Sequence, residues 1–550
     1  MDIFNNLLLQ ADSILGSSQW FVFLLLGTGL FFTCYLGFPQ IRYFRHGTRV
    51  LFGHYDRKHH IGDTSHFQSL TTALSGTVGT GNIAGVALAI HLGGPSALFW
   101  MMVSAFLGMT TKFVEVSLSH KYRDVLPDGS IAGGPMYYMK KRMKAPWLAG
   151  FFAVAAIISS FGTGSLPQIN SIAGAMFHTF SIPPIITGAV LSLILALIVI
   201  GGIKRIAKVT SVLVPFMSVL YIVAAIMVLA YNYQNILPSF ISIFTNVFTG
   251  TAATGGFLGA TFAFAFNRGV NRGLFSNEAG QGSAPIAHAA ARTQEPVSEG
   301  VVALLEPFLD TLIICFLTGM TLLSSGVWQE KQSNLFQLTD MEILAAVYDD
   351  TNQADVEKLH HHIVGDAPLP LYSGTLRVEN GKVSGVSVLQ SRSIAEDVTI
   401  SRNGVPYTGD IQVVNGKPRD GSLQISGRSL IHSAPLSTVA FSQSFLGVWG
   451  KYIISISLLF FAFSTAIAWS YYGDRSVIFL GGQRFVLPFR IIYCVAFFIA
   501  SFTDTTIIWN LANVAIVLMT LPNLIGMLTL RKEMKSMERA YRRTLRKDKE

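Results

Sequence analysis

The residues best placed to do chemistry are Ser75-Gly76-Thr77-Val78-Gly79-Thr80-Gly81-Asn82-Ile83-Ala84-Gly85, a run with four glycines inside an apolar segment, 66–92, of membrane-spanning length. Glycine is a poor helix-interior residue with unusual backbone freedom. A spanning helix that breaks here leaves amide and carbonyl groups unpaired, and at membrane depth those groups must face protein, water or a ligand. Exposed amides suit a carboxylate, and exposed carbonyls suit a cation. The chemistry indicated is non-covalent, and the run reads as half of a transporter's binding site.

A second glycine-interrupted segment, 245–267, holds Thr254-Gly255-Gly256-Phe257-Leu258-Gly259. Ionisable residues within spans are functional candidates by default. Lys112 and Glu115 stand three apart on one helical face and can pair. Glu306 and Asp310, four apart, share a face with no obvious cation; they suit a proton site or the lining of an aqueous path, and helix-end placement is the plain account of Glu306. His360-His361-His362 cannot share one helix face, so it reads as a solvated run rather than a metal site. Cys34, Cys315 and Cys494 each sit in an apolar run without metal or disulfide spacing. The chain shows no nucleophile–base pair and no glycine-rich phosphate loop, so an enzyme is not expected.

The elements that must position these residues are apolar helices. Of 550 residues 51% are hydrophobic and only 13% charged, with a mean hydropathy of +0.47, which excludes an ordinary soluble domain. The net charge of +9 does not indicate nucleic acid, because Lys and Arg gather in short loops between apolar runs and in the tail 531–550. Windows of about 20 apolar residues place about eleven spans near 18–38, 66–92, 95–119, 148–170, 184–203, 209–231, 245–267, 299–323, 445–470, 484–503 and 507–529.

Asp2 and Asp12 precede the first span without a basic leader, so it reads as a retained helix. Basic residues follow the odd-numbered spans: Arg42, Arg45 and Arg49 the first, Lys121 to Lys144 the third, Lys204, Arg205 and Lys208 the fifth, Arg268, Arg272 and Arg292 the seventh, Arg475 the ninth. That alternation puts the amino terminus outside and the carboxyl terminus in the cytoplasm. The exception is 326–436, a polar outer insertion. Its stretch 335–363 looks helical, and Asn380-Gly381, Asn403-Gly404 and Asn415-Gly416 are strong hairpin cues.

If the first span is an extra helix, spans two to six and seven to eleven make two sets of five, each opening with a glycine-interrupted segment. Matching interruptions in two halves are the best sequence pointer to a transporter site; the plainer account of such glycines is close helix packing.

The 75–85 run, Ala132-Gly133-Gly134-Pro135-Met136-Tyr137-Tyr138, Gly273-Leu274-Phe275-Ser276-Asn277-Glu278-Ala279-Gly280 and Ala468-Trp469-Ser470-Tyr471-Tyr472-Gly473-Asp474 resemble, in order, the bacterial and archaeal alanine/glycine:cation symporter family. The resemblance implies a five-plus-five inverted repeat preceded by one helix, and sodium-coupled uptake of small amino acids. It implies that the substrate carboxylate lies against Thr77, Gly79, Thr80 and Gly81, and the amine near carbonyls of Gly255, Gly256 and Phe257. It implies that Gln168 and Trp469 line the pocket, and that Na+ meets backbone oxygens near Ser75 and Val78 and the hydroxyls of Ser464 and Thr465. The plainer readings are a satisfied buried amide for Gln168, a belt tryptophan for Trp469, and hydroxyls back-bonded one turn earlier. Glu278, with Asn277, belongs to a cytoplasmic loop motif that holds a gate or a helix end. Ser165 stands where the family usually has Asn, Pro167 is atypical, Gln281 replaces an apolar residue, and the insertion is unusual; substrate size and chirality stay open.

The expected protein is an all-α polytopic membrane protein of about eleven transmembrane helices, with two broken helices in a five-plus-five repeat, one amino-terminal helix and a small α+β extracytoplasmic insertion. Its domains are a transporter core, 1–325 and 437–530, the insertion 326–436 and a basic cytoplasmic tail 531–550. It lies in the bacterial cytoplasmic membrane and imports alanine or glycine with Na+ as coupling ion, by alternating access. Its partners are a small neutral amino acid and the bilayer, with no nucleic acid and an outer-face partner for the insertion left open. Two rivals remain: proton-coupled symport through Glu306, Asp310 or Glu115, and an amino-acid sensor signalling through the insertion.

Overall fold

The computed structural model describes residues 7–8, 10–11, 14–15 and 18–547, apart from 56–60, 246, 250, 339 and 504–505. Asp2, Asp12 and the last three residues of the basic tail lie outside them. Among the described residues, seven helices are long and apolar enough to cross a membrane, or up to nine if each bent pair is one span.

We number the helices the site depends on: α1 Gln19–Leu36, α2 His66–Thr77, α3 Gly81–Gly93, α4 Pro95–Lys121, α5 Pro146–Gly162, α6 Leu166–Phe180, α7 Pro184–Val199, α8 Gly202–Tyr231, α9 Phe262–Asn277, α10 Ala284–His288, α11 Pro296–Ser325, α12 Trp449–Gly481, α13 Thr506–Thr529 and α14 Arg531–Lys547. α4 and α12 are the central struts. α12 packs on α2, α5, α6 and α8, and α4 packs on α1, α9 and α11. The most apolar window of α12 is 78% buried, against 22% for Gln483–Ala500, which is left on the periphery with its apolar side chains outward.

Two expected segments differ. The 184–203 span is the shorter helix α7. The 245–267 span is not one helix: Tyr233–Thr245 precedes it, α9 starts only at Phe262, and 251–260 folds back on itself through the bridges Thr251↔Ala260 and Thr254↔Phe257. A hydropathy window averages side chains and cannot see that Gly255, at φ +54, turns this stretch into a tight hairpin. Arg268 and Arg272, expected in a loop, lie within α9.

The insertion carries short antiparallel strands around one helix. Of 335–363 only Gln353–Val364 is helical; Gln332–Leu335 and Met341–Leu344 are strands, the second paired with Ser387–Gln390. At all three Asn-Gly pairs both residues have positive φ, between 48° and 79°, as a two-residue hairpin turn requires. The three histidines take separate partners: His360 Nδ1 meets Leu258 O at 2.9 Å, His361 faces Asp366, and His362 Nε2 meets Glu342 at 3.1 Å. Arg392 clamps the insertion to the core, donating to Gly259 O at 3.2 Å with its guanidinium 4.1 Å from the Phe264 ring centre.

On the face opposite the insertion the chain bends by 64° after α13 into α14. Met534, Glu538 and Tyr541 are its buried side. Glu538 accepts from Tyr43 Oη at 2.7 Å and Arg42 Nη1 at 3.3 Å; Glu533 accepts from Lys121 Nζ at 2.5 Å, Arg142 Nε at 2.7 Å and Tyr122. Partial burial alone would raise the Glu533 carboxyl, but these donors and the Lys121 charge hold it down to about 2, from an ordinary 4.5. A depressed carboxyl stabilises docking above its undocked value and loses that contribution as pH falls through its docked one. Amide exchange of 531–547, corrected for intrinsic rates, is therefore expected to stay constant from neutral pH to about 4.5 and to rise below it. Glu533→Gln is expected to raise that exchange already at pH 7; unchanged protection in this variant would show that the carboxylate does not hold the helix.

Candidate binding site

The 75–85 run does interrupt its helix. α2 opens on a capping box, Ser65 with Gln68, and stops at Thr77; Val78 leaves helical geometry at ψ 88, and α3 resumes through a π turn, Gly81–Gly85, at 55° to α2. The Gly79 N–H is taken by Asn82 Oδ1 at 2.9 Å. Asn82 Nδ2 donates to Asp310 Oδ1 at 2.6 Å. The amide expected to face a substrate carboxylate is thus held by Asn82, a residue the spacing argument passed over although it stands three positions on.

α6 and α12 converge on this break. A Cβ at Gly79 would lie 2.6 Å from Thr465 Oγ1 and 3.7 Å from Gln168 Oε1, so only glycine fits. α5 and α6 are separated at 163–165, and a Cβ on Gly164 would overlap Trp469 Cβ. Pro167 explains the pose of Gln168. Proline has no N–H to give the carbonyl four residues back, which is Thr163 O, and Gln168 Nε2 donates there instead at 3.0 Å. Among the described residues this leaves Gln168 Oε1 buried without a partner, as are Thr163 Oγ1 and Tyr472 Oη, the latter 2.9 Å from a Cβ position at Gly76. Buried polar atoms are normally hydrogen-bonded, so these three mark where a polar ligand or water completes the site.

Trp469 is fully buried, edge-on to Tyr472 with ring centres 5.3 Å apart, and its Nε1 donates to Glu278 Oε1 at 3.0 Å. It is therefore not an interfacial belt residue. Ser464 Oγ reaches Ser75 O at 3.3 Å and Phe461 O at 2.8 Å, and Thr465 Oγ1 reaches Phe461 O at 3.1 Å. Back-bonding and contact with the break coexist: a hydroxyl that gives its hydrogen to Phe461 O keeps its lone pairs for another ligand, and neutral oxygens suit a monovalent cation. Val78 is fully buried, Thr77 and Thr80 are nearly so, and Thr77 Oγ1 turns back to Leu74 O at 3.3 Å. Gly81 opens toward Phe275 and Ser276, whose nearest atoms are 3.9 and 3.8 Å from its Cβ position.

Gly255, Gly256 and Phe257 are not brought to this place. Gly256 N donates to Gln329 O at 2.8 Å, Phe257 N and O both bond Thr254 across the hairpin, and the Phe257 ring packs on Trp328. These residues seat the insertion. A further interruption lies after α9, whose end meets Gly81 through Phe275 and Ser276: Glu278, Gly280 and Gly282 have φ of 53°, 88° and 83°, and α10 follows. Glu278 stands in the link between α9 and α10 and holds a helix end: it is buried, caps α9 and accepts from Ser283 Oγ at 2.5 Å. The signal was present as Gly280 and Gly282 around Gln281, but Asn277, Glu278 and Gln281 are polar, and a search for apolar runs passes over them. A cavity of about 230 Å³ between α1, α9 and α13, lined by Arg268, Arg272 and Asn513, reaches Phe275, Ala279 and Gln281 of this second break.

The buried charges sort into pairs. Lys112 Nζ lies 3.0 Å from Glu306 and 3.9 Å from Glu115, so the cation that Glu306 lacked in the sequence stands 194 positions away. Glu299 receives His288 Nδ1 at 2.5 Å and His66. Asn523 Nδ2 ties Glu115, at 2.7 Å, to Gly280 O, at 2.8 Å. This network braces the second break from α4, α11 and α13.

Gly164→Ala is expected to lower the thermal midpoint of the purified protein, overpacking of this kind costing about 1–3 kcal/mol. Gly174→Ala, inside α6 with open space around its Cβ position, should not lower the midpoint. Equal midpoints for the two variants would sink the close approach of α12 to the α5–α6 break.

A family model described as the sodium:alanine symporter family matches residues 1–352 and 421–550, leaving unmatched the middle of the insertion. An uncharacterized transporter of Haemophilus influenzae is 35% identical over 95% of this chain and 94% of its own length. The sodium/alanine symporter AgcS of Methanococcus maripaludis is 35% identical over 92% of this chain and 90% of its own. A putative sodium/proton-dependent alanine carrier protein of Bacillus subtilis, YrbD, is 40% identical over 57% of this chain and 63% of its own.

Proposed function

The chain belongs to the sodium:alanine symporter family, and from that premise we propose that it imports a small neutral amino acid, alanine or glycine, together with Na+. The observation that carries this reading is the meeting of an interrupted helix with Gln168, Thr465 and Trp469 in the buried core. Thr77, Gly79, Thr80 and Gly81 with Gln168 hold the substrate in this reading, and Trp469 closes one wall and limits its size. The unpartnered Gln168 Oε1 is an acceptor suited to the substrate amine. The residues 278–283 take the part first given to Gly255, Gly256 and Phe257. Na+ sits between the Ser75 and Val78 carbonyls and the Ser464 and Thr465 hydroxyls, tying α2 to α12.

An ion that bridges the break and α12, and a substrate that touches both, each favour the closed arrangement. Rocking of one helix cluster against the other then exposes the site to either side. In this reading the insertion is outside, α14 is in the cytoplasm, the membrane is the bacterial inner membrane, and the helices of the core form the five-plus-five repeat.

Counterflow of labelled alanine in proteoliposomes is the test. Uptake should follow an inward Na+ gradient at constant pH, and uptake indifferent to Na+ would refute the ion assignment. Thr465→Ala should raise the Na+ concentration for half-maximal uptake by about tenfold, the cost of about 1.4 kcal/mol of ligand binding, with a smaller effect on alanine affinity. Trp469→Ala should admit larger neutral amino acids; unchanged selectivity would remove Trp469 from the pocket wall.

A further inference from the structure

Sodium coupling gives one buried carboxylate nothing to do. Asp310 is fully buried on a π turn of α11, Phe308–Cys315, directly beside the first break. Its Oδ1 accepts from Asn82 Nδ2 at 2.6 Å, and its Oδ2 accepts from Ser276 Oγ at 2.7 Å and Thr311 Oγ1 at 2.6 Å. All three donors are neutral. The charged groups around it do not neutralise it. Glu306, one turn earlier, is a like charge already tied to Lys112 of α4. Glu115 of α4 is held by Lys112 and Asn523, and Glu278 at the end of α9 lies in the field of Lys112. Arg268 and Arg272 of α9 line the cavity toward α1 and α13, Cys315 shares the Ser276 and Asn82 contacts, and α3 brings no ionisable group to this end.

An uncompensated charge in such a place is costly, and the donor set suits a proton better than a metal ion. A hydroxyl both donates and accepts. With a proton on Oδ2, the new O–H can donate to Ser276 Oγ or Thr311 Oγ1, while Oδ1 still accepts from Asn82, so every bond keeps a partner. A metal ion would have to displace the donors, and Asn82 offers it an NH2 group because its Oδ1 is committed to Gly79 N.

We propose that Asp310 is a proton-binding site whose state is passed to the substrate site through Asn82. The proton comes from water to Oδ2 and returns to water when the site empties; no other bond is made or broken. Ionised, Asp310 holds Asn82 by a charge-assisted hydrogen bond, and Asn82 in turn holds the Gly79 N–H. Protonated, it keeps that bond without the charge assistance and holds Asn82 less firmly, so the Gly79 amide exchanges Asn82 for the substrate carboxylate more readily. Acidification therefore tightens substrate binding. This inference rests on the amino-acid-binding reading above, and its test separates the two.

Binding of labelled alanine to the purified full chain is measured across pH at saturating Na+, alongside infrared difference spectra of the carboxyl C=O band without substrate. The wild type should gain alanine affinity on acidification, with the infrared band titrating at the same midpoint. Asp310→Asn, which imitates the neutral form, should bind alanine with no pH dependence and lack the band. Ser276→Ala and Thr311→Val, each removing a donor to the charged form, should move the midpoint upward by about one pH unit, which keeps the proposal testable if Asp310→Asn does not fold. A wild-type pH profile or a persisting band in Asp310→Asn, or unmoved midpoints in the other two, would overturn it. An Asp310-dependent band in a protein that binds neither alanine nor glycine would support the proton site and sink the amino-acid reading.

Discussion

Backbone that leaves its helix inside an apolar bundle must find its hydrogen-bond partners elsewhere in the chain, and here side chains meet that demand: Ser464 reaches Ser75 O, Ser437 reaches Ile83 O, and Asn82 takes the Gly79 N–H. Asn82 accepts from the Gly79 amide and donates to Asp310, joining the break to the π turn of α11. The break can exist at this depth because of those bonds. On its other side the absence of side chains at Gly76 and Gly79 lets Tyr472 and Thr465 come nearer than a Cβ would allow.

The same demand shapes the second break. Where α9 ends, Glu278 is received by Trp469 and Ser283, and Gly280 O by Asn523. Lys112, Glu115, Glu306, His288 and Glu299 form a chain of buried charges behind it. Removing one partner of such a pair costs about 3–5 kcal/mol, because the other is left buried and alone. Beside Lys112 the carboxylates meet a cation, whereas Asp310 meets only neutral donors.

The insertion touches this machinery at its far end. Arg392, Gln329 and His360 engage Gly259, Gly256 and Leu258, in the extended link that leads into α9. A glycine-rich run that looks like a transporter's second broken helix is here the seat of an extra domain.

Local physics was legible in the chain. Four glycines in an apolar run foretold the break at 78–80, because no helix tolerates them cheaply in its interior. Three Asn-Gly pairs foretold three tight turns, because those residues accept positive φ. The spacing of Gln168, Ser464, Thr465 and Trp469 carried no such message until a family resemblance supplied it. What only the tertiary structure decided was partnership: that Lys112 belongs to Glu306, that Asn82 closes on Gly79 and opens on Asp310, and that Gly256 pairs with Gln329 of the insertion while Ser276 meets Asn82. Backbone propensity acts over a few neighbouring residues and can be read in one dimension. The partner of a buried polar group is whichever group the packed helices bring within about 3 Å, and that is a property of the folded chain alone.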